Sequence, residues 1–434
     1  MAIPKHKLRA AKAEATEAWL GARSLPESGA WARAAREAAV ERARAVTLPG
    51  KRDEYWKYTD PTALTADAPA AAAVLEIADE TAVFEAIDRV RLVFVDGVFD
   101  AAASDDPALA GVEIERLAEA GARDIHWAKD IYGVLEARGQ EPVERPLAAY
   151  NTAFAEDGVL IRATGKAAKP VSLIYTRRDE SADAMLHHVI RVDAGAELTV
   201  LENGPAAARF SQVMEVDIAD GGRFHHVRAQ GRDHERRAAA HLFARLGRES
   251  VCKSFTLCAN GALTRNEAVI WLEGEKGTAH IAGAALGDGA FHGDDTVFIN
   301  HKAPECESRQ VYKKVLRGGA TGVFQGKILV DQAAQLTDGY QISQSLLFDE
   351  RSQFLAKPEL EIYADDVQCS HGSTSGEIDS EHLFYMRARG IAQHEAEALL
   401  VLAFIAEAIE EIEDETLAED IRTRLAGWLE RHKG

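Results

Sequence analysis

Residues 187–230 read HHVIRVDAGAELTVLENGPAAARFSQVMEVDIADGGRFHHVRAQ, and their pattern decides the fold class. Short segments rich in Val, Ile, Leu and aromatic residues alternate with turns of Gly, Asp and Asn, which is typical of β-strands. The same texture runs over residues 155–348, with a strand about every ten to fourteen residues and no helical segment between them. Such spacing predicts a sandwich, a barrel or a β-solenoid. The scarcity of two-residue hairpin signals favours a solenoid wound in coils.

Helical and aromatic patterns precede this β region. Residues 26–46 are rich in Ala, Arg and Glu and run into Leu-Pro-Gly, which predicts a helix. Residues 124–139 show a second helical pattern that ends at a glycine. Residues 90–99 place an Asp-Gly dipeptide between apolar segments, which predicts a β-hairpin. The segment KRDEYWKYTD, residues 51–60, predicts a packed aromatic cluster, with partner binding as the alternative.

Helical patterns also follow the β region. A helix is predicted over residues 381–389, with Asp379 and Ser380 as candidate caps and Gly390 at its end. A longer helix covers residues 393–413. Its apolar residues at helical spacing are Leu399, Ala403, Ala406 and Ile409.

The length of 434 residues exceeds one ordinary domain. The changes of pattern predict a mainly helical N-terminal region over residues 1–150, a β core over 151–376 and a helical C-terminal region over 377–434.

Composition and charge exclude several classes of function. The formal charge of −20 disfavours nucleic acids and anionic membrane surfaces as partners. The chain lacks an apolar run long enough to span a bilayer, and its first residues do not resemble a signal peptide. Four irregularly spaced cysteines do not form a disulfide framework, so we expect a cytoplasmic protein. The acidic segment 391–434 indicates either a docking surface or a solvated helix face.

Common catalytic motifs are missing from the sequence. The segment GATGVFQGKI resembles a phosphate-binding loop, but Thr321 replaces its first glycine and Ile328 replaces its Ser or Thr. We also find no G-x-S-x-G, H-E-x-x-H or C-x-x-C motif. The sequence therefore does not predict an enzyme.

Two residues carry the strongest metal-binding signal, Cys369 and His371 in the segment DDVQCSHGSTSG. On an extended strand they project to the same side and could offer one thiolate and one imidazole to a metal. Two donors do not complete a tetrahedral set, so a closed site needs ligands from elsewhere. A polar turn is the alternative interpretation.

The other cysteines and the paired histidines are better explained as structural residues. Cys252 and Cys258 share one face of a predicted strand region, which favours buried thiols, and Cys306 lies in a turn. The histidine pairs at 187–188 and 225–226 cannot chelate as pairs, because adjacent strand residues face opposite sides.

Three long segments resemble one known family, the SufB/SufD proteins of iron–sulfur cluster assembly. These segments are DDTVFINHKAPECESRQVYKKVL (294–316), GVFQGKILVDQAAQLTD (322–338) and KPELEIYADDVQCSHGSTSGEIDSEHLFYMRARGI (357–391). The resemblance covers about residues 150–410, and LPGKRDEYWKYTD (48–60) resembles the SufD branch in particular.

Two further features resemble SufD more than SufB. SufB has an essential cysteine in the strand that corresponds to QLTDGYQISQSLL, where this chain has none. SufB also has a His-Glu pair near the place where this chain has Cys-Ser-His, a motif of SufD-like proteins.

The resemblance implies a right-handed parallel β-helix between helical N- and C-terminal domains. It implies pairing with SufB through the β-helix and docking of the ATPase SufC on the C-terminal helices, for which we select Leu399, Leu400 and Phe404 as contact residues. The function implied is a non-catalytic scaffold that shares iron or a nascent Fe–S cluster transiently with SufB. In this scheme His371 is a metal ligand and Cys369 an auxiliary thiol. Whether the isolated chain forms a homodimer stays open, and we predict no flavin site.

Two rival functions are a β-helix enzyme acting on polysaccharides and a purely structural partner protein. Many polysaccharide-active solenoids are secreted, and their chemistry requires facing carboxylic acids on a groove. Iron binding would separate the structural alternative from the scaffold.

Overall fold

The computed structural model describes residues 5–74, 83–231 and 233–431. The predicted region 1–150 includes residues 1–4 and 75–82, which lie outside the described residues. The α-helices are α1 (Lys5–Gly21), α2 (Ala30–Val46), α3 (Thr62–Thr65), α4 (Leu117–Ala120), α5 (Val134–Arg138), α6 (Pro146–Phe154), α7 (Ser380–Arg387), α8 (Gln393–Ile409) and α9 (Glu415–Arg431). Short 3-10 helices cover Glu54–Trp56, Pro107–Ala110 and Trp127–Asp130.

The strands lie mainly between the helical segments. They are β1 (Val90–Val95), β2 (Val98–Phe99), β3 (Glu113–Arg116), β4 (Val159–Ala163), β5 (Val171–Thr176), β6 (Asp183–Val192), β7 (Glu197–Asn203), β8 (Arg209–Ile218), β9 (Arg223–Gln230), β10 (Arg237–Leu246), β11 (Val251–Ala259), β12 (Leu263–Leu272), β13 (Thr278–Asp288), β14 (His292–His301), β15 (Glu307–Arg317), β16 (Thr321–Val330), β17 (Thr337–Leu347), β18 (Gln353–Ile362) and β19 (Val367–Gly376).

Two sheets form a parallel β-helix, as predicted. One sheet holds β1, β2 and the odd-numbered strands from β5 to β19, and the other holds β3, β4 and the even-numbered strands from β6 to β18. The chain therefore alternates between the sheets and returns to each after one coil. One column of paired residues comprises Asp157, Leu186, Gln212, Ala240, Asn266, Asp295, Phe324 and Ala356. The coils are thus about 30 residues long, within the range of solenoid repeats.

The N-terminal region contributes to the same sheets. β1 pairs in parallel with β5, and β1 and β2 form the predicted hairpin, with Asp96 and Gly97 at φ 51° and 84°.

The predicted helix over 124–139 is wrong in part. It is divided into a 3-10 helix and α5, because Gly133 adopts φ 70° between them. The buried Glu215 carboxylate accepts the amide N–H of Leu135 and of Glu136 at 2.8 and 2.9 Å, which fixes the start of α5.

The two sheets enclose an interior, here called the lumen. Its apolar lining includes Leu186, Val216, Phe224, Ile270 and Val297. Two acidic side chains in the lumen illustrate how charge is paired there, because an isolated buried charge would cost several kcal/mol. Glu202 accepts hydrogen bonds from Tyr175 at 2.8 Å and Arg228 at 2.5 Å, and Lys314 contacts Asp295 at 2.5 Å.

The N-terminal helices cover the outer face of the sheet that holds β3, β4 and the even-numbered strands, here called the even-numbered sheet. Trp31 and Tyr132 share an apolar cluster with Val213, Phe243 and Phe298 of that sheet. The aromatic segment 51–60 packs here as well. The Arg265 guanidinium lies 4.1 Å from the Trp56 ring centroid, and the Thr59 hydroxyl donates to Asp294 at 2.5 Å. The predicted packing of this aromatic segment is confirmed.

The C-terminal helices cover the outer face of the odd-numbered sheet. Their apolar side chains pack with Phe255, Val311 and Val315 of that sheet. The buried residues of α8 are Ala396, Val401, Ile405, Ala408 and Ile409. Of the apolar residues at helical spacing, Ile409 is buried, Ala406 is half-buried, and Leu399 and Ala403 are exposed. Since α8 is apolar on more than one face, helical spacing alone does not select the buried face.

Acidic residues near the end of α8 are paired with basic residues of the β-helix. His280 Nδ1 lies 2.6 Å from Glu411, and the Lys253 ammonium lies 2.8 Å from Glu413. Part of the acidic C-terminal segment therefore docks on the chain's own β-helix. At α7, Asp379 is the N-cap, as predicted, because its carboxylate accepts the amide N–H of Glu381 and of His382 at 2.9 Å.

Candidate metal site at the end of the β-helix

The last coil of the β-helix carries both residues of the predicted metal site. It consists of β18 and β19, which stand at the ends of their sheets. Most residues of these strands are half-buried or exposed, whereas the strands of earlier coils are largely buried. The backbone edge of β19 is therefore a surface at which another strand or protein can pair.

Cys369 lies on the lumen side of β19. Its Cα partner in β17 is Gly339, and a Cβ built on that glycine would lie 3.2 Å from the Cys369 Sγ. The glycine thus leaves room for the thiol, which packs partly against the apolar cluster of Ile328 and Val330. Burial raises the pKa of the Cys369 thiol, and the nearby Asp338 carboxylate adds to the increase. The thiol is therefore protonated at neutral pH and must lose its proton when it binds a metal.

His371 lies two residues further along β19 on the same face of the strand. A strand rises about 3.3 Å per residue, so the two Cα atoms are about 6.6 Å apart. Whereas Cys369 is half-buried, His371 is exposed at the mouth of the lumen. One thiol and one imidazole thus lie on the same face of the last strand.

The rest of the β17–β19 ladder is polar on the lumen side. The hydroxyls of Ser343 and Ser373 are 3.1 Å apart, and those of Ser345 and Ser375 are 2.8 Å apart. Sequence reasoning missed this feature and the residue beside it, Gln341, which is paired in register with His371. The signal that could have revealed it is the alternation of the polar residues Gln341, Ser343 and Ser345 with positions 342, 344 and 346, two of which are apolar.

The described part of the chain offers two metal donors at this site, Cys369 and His371. Within residues 5–74, 83–231 and 233–431, no cluster of three or more His, Cys, Asp or Glu side chains is arranged to hold a metal ion. A metal bound by Cys369 and His371 would therefore keep open coordination positions for ligands from another molecule.

An open cleft of about 480 Å³ lies beside the last coil. Its lining residues are Arg309, Asp338, Tyr340, Gln368, Cys369 and Ser370. Arg309 holds Asp338 through two hydrogen bonds of 3.0 and 2.9 Å. The cleft gives solvent and ligands access to the strand that carries Cys369.

The three residues selected for SufC contact lie on α8, but their exposure differs. The Leu399 side chain is 49% exposed, while Leu400 and Phe404 are half-buried. The Phe404 ring lies 4.9 Å from the Lys313 ammonium of the β-helix, so part of this ring is already covered. Helix α7 adds Phe384 and Tyr385, which are 74% and 56% exposed and were missed by sequence reasoning.

The remaining cysteines and paired histidines have structural environments, as predicted. Cys252 is buried in the lumen, and burial raises its pKa to about 12. His187 and His188 face opposite sides of β6, where their ring nitrogens lie 2.8 Å from Glu215 and 3.1 Å from the Tyr175 hydroxyl.

Comparison with known protein families assigns nearly the whole chain. Residues 175–404 match the family model described as the SufBD core domain of SUF system FeS cluster assembly. Residues 26–169 match the SufBD protein N-terminal region. The chain belongs to the SufBD family.

Relatives of this SufBD chain come from several bacteria. It is 29% identical over 396 residues to the iron–sulfur cluster assembly protein SufD of Escherichia coli, which covers 88% of this chain and 89% of that protein. It is 27% identical over 399 residues to an iron–sulfur cluster assembly SufBD family protein of Synechocystis, covering 87% and 86%. A SufBD family protein of Mycobacterium tuberculosis is 27% identical over 302 residues, which is 67% of this chain and 75% of that protein.

Among the described residues, none of the helices is both long enough and apolar enough to cross a membrane.

Proposed function

We propose that this SufBD-family chain is a non-catalytic scaffold subunit of a cytoplasmic SUF iron–sulfur cluster assembly complex. The observation that carries the proposal is the last coil, where Cys369 and His371 lie on the same face of an edge strand. The family match and the SufD-like relative support the role in cluster assembly. Iron and the nascent cluster are the cargo of this scaffold.

The incomplete ligand pair suits a transient role. A site that supplies one thiolate and one imidazole holds iron only with the help of further ligands, which a SufB paralogue would supply across the last coil. A closed four-ligand site would retain the metal, whereas shared ligands allow the cluster to be transferred. The exposed edge of β19 supports pairing at this end of the β-helix.

The His371→Ala substitution tests the ligand role. We expect the fold and the complex to persist, because His371 is exposed, and the cluster yield to fall about tenfold or more. The measurement is the absorbance of clusters formed in the reconstituted complex under anaerobic conditions. His234→Ala, at another exposed histidine, is the matched control. An undiminished yield with His371→Ala would refute the ligand role, and loss of iron binding would argue against a purely structural partner.

The proposed docking surface for SufC consists of Leu399, Leu400 and Phe404 on α8. Deleting residues 391–434 should abolish SufC binding, but it would also uncover Phe255 and Val311 of the β-helix, which pack against the deleted helices. Leu399→Asp is the sharper test, because this side chain is already half-exposed.

We expect Leu399→Asp to weaken SufC binding at least tenfold, since burial of a leucine is worth about 1.5–3 kcal/mol. The measurement is the mass of the assembly that co-purifies with the tagged chain, SufB and SufC. The wild type should yield one SufB, two SufC and one copy of this chain. Ile125→Asp, at an exposed apolar residue of the N-terminal region, is the control. Full SufC retention by Leu399→Asp would place the docking surface elsewhere.

A further inference from the structure

The Gln341 side chain is fully buried and both of its polar atoms lack a hydrogen-bond partner in the structure. Leaving a buried donor or acceptor unsatisfied costs about 1–3 kcal/mol, so such groups in native proteins call for an explanation. A leucine of similar volume would avoid this cost. Gln341 therefore has a role that the packing of the last coils does not explain.

The position of Gln341 points to that role. It is paired in register with Gln310 of β15 on one side and with His371 of β19 on the other. Its carboxamide crosses the lumen toward β16, where a Cβ built on Gly326 would lie 2.5 Å from the Gln341 Oε1. The Cα atoms of Gln341 and His371 are thus one strand spacing apart, about 4.8 Å, on the same face of the sheet.

In the neighbouring residue pairs between β17 and β19, the polar side chains are hydrogen-bonded to each other. Ser343 bonds Ser373 and Ser345 bonds Ser375, each through side-chain hydroxyls. The pair formed by Gln341 and His371 is different. The amide oxygen and the amide nitrogen of the buried Gln341 both lack a hydrogen-bond partner.

A histidine that binds a metal through one ring nitrogen usually donates its other N–H to an oxygen acceptor. That second hydrogen bond fixes the tautomer and the orientation of the ring. Of the two polar atoms of Gln341, the Oε1 is the acceptor that such a bond requires.

We propose that Gln341 is a positioning residue for His371. After the carboxamide turns from β16 toward β19, its Oε1 accepts the N–H of the imidazole nitrogen that does not bind metal, and this bond directs the other nitrogen out of the lumen toward the cargo. The inference rests on the proposed function, because it assigns a positioning partner to the proposed ligand.

The test uses the full-length chain and Co²⁺ as the probe metal. We expect Gln341→Leu to weaken Co²⁺ binding about 10- to 100-fold, as measured by its absorbance bands under anaerobic conditions. Gln341→Glu retains an acceptor and should restore most of the affinity. Gln310→Leu, one coil deeper in the same column, is the matched control and should leave the affinity unchanged.

A second readout distinguishes positioning from general stability. In protein labelled with ¹⁵N-histidine, the His371 ring should show one tautomer in the wild type and a mixture in Gln341→Leu. The His371→Ala variant assigns the signal. A tautomer mixture in the wild type would refute the proposal even if Gln341→Leu failed to fold.

The outcomes also separate this inference from the proposed function. If His371→Ala binds Co²⁺ as tightly as the wild type, the ligand role of His371 fails. If His371→Ala loses Co²⁺ but folded Gln341→Leu keeps full affinity and a single tautomer, only the positioning role of Gln341 fails.

Discussion

Cys369 and His371 are two residues apart, yet they meet different environments. The thiol packs partly against Ile328 and Val330, while the imidazole is exposed. The sequence predicted that both side chains share one face, because strand alternation is a local property. It did not predict the burial of Gln341 beside His371, since that placement depends on which coil pairs with β19.

The different burial of the cysteines predicts their reactivity. Alkylation requires the thiolate and access to it, so in the native protein at pH 8 Cys369 should react first with iodoacetamide. Cys252 should stay unmodified, because burial raises its pKa to about 12. Mass spectrometry after short exposure measures the modification, and the denatured chain, in which all four cysteines react, is the control. Equal labelling of Cys252 and Cys369 would contradict the difference in burial between these two thiols.

At the scale of elements, β17 shows where the sequence pattern misleads. Its buried lumen residues include Gln341, Ser343 and Ser345, while Ile342 and Leu346 face outward and pack with the cluster of the C-terminal helices. A hydrophobic pattern predicts the alternation of a strand but not which face is the lumen, because here both faces are covered. The same ambiguity holds for α8, where apolar residues lie on more than one face.

The docking of the C-terminal helices should depend on pH. For Glu411, burial raises the pKa, but the hydrogen bond from His280 and neighbouring cations outweigh it, so the net pKa is lowered. The pKa of Glu413 is lowered in the same way by Lys253. Burial lowers the pKa of His225, which faces Glu413.

The pKa values of Glu411, Glu413 and His225 are thus all lowered. A lowered pKa means that the unfolded state binds more protons, so stability is lost as the pH falls. We expect docking to weaken below about pH 6.5, through His225, and further below about pH 4, through the glutamates. Trp428 is buried in the docked helices and reports their release by fluorescence. Glu411→Gln should weaken the fluorescence change below about pH 4. An unchanged pH dependence of the Trp428 fluorescence in this variant would exclude the Glu411 carboxylate as the cause of that change.

At the scale of the molecule, the β-helix is a central layer between two helical layers. The strand spacing, turns and flanking helical patterns predicted this arrangement, because each is visible in local sequence. The limits of the three regions at residues 150 and 376 stay a prediction, and β1 and β3 already join the sheets before residue 150. The sequence could not show that the last coil ends with a polar lumen and an exposed edge.

The exposed edge leads to a prediction about assembly. Ile362 at the end of β18 is 39% exposed beside the open edge, so we expect Ile362→Lys to lower the recovery of SufB while SufC still binds. Co-purification from cells expressing all three proteins measures both partners. Ile125→Lys changes an equally apolar but remote residue, and equal SufB recovery from the two variants would exclude the last coil from the interface.

The in-register stacking of coils also restricts how this architecture can change during evolution. Adding one complete coil would move the terminal strand by one strand spacing, about 4.8 Å, and would leave every side chain facing its former side. Adding a single residue within a strand would exchange the lumen and outer faces of the residues that follow. Length differences among homologues should therefore occur as whole coils or at the turns between strands. In such homologues the β-helix would be longer, while the residues of its last coil would stay the same.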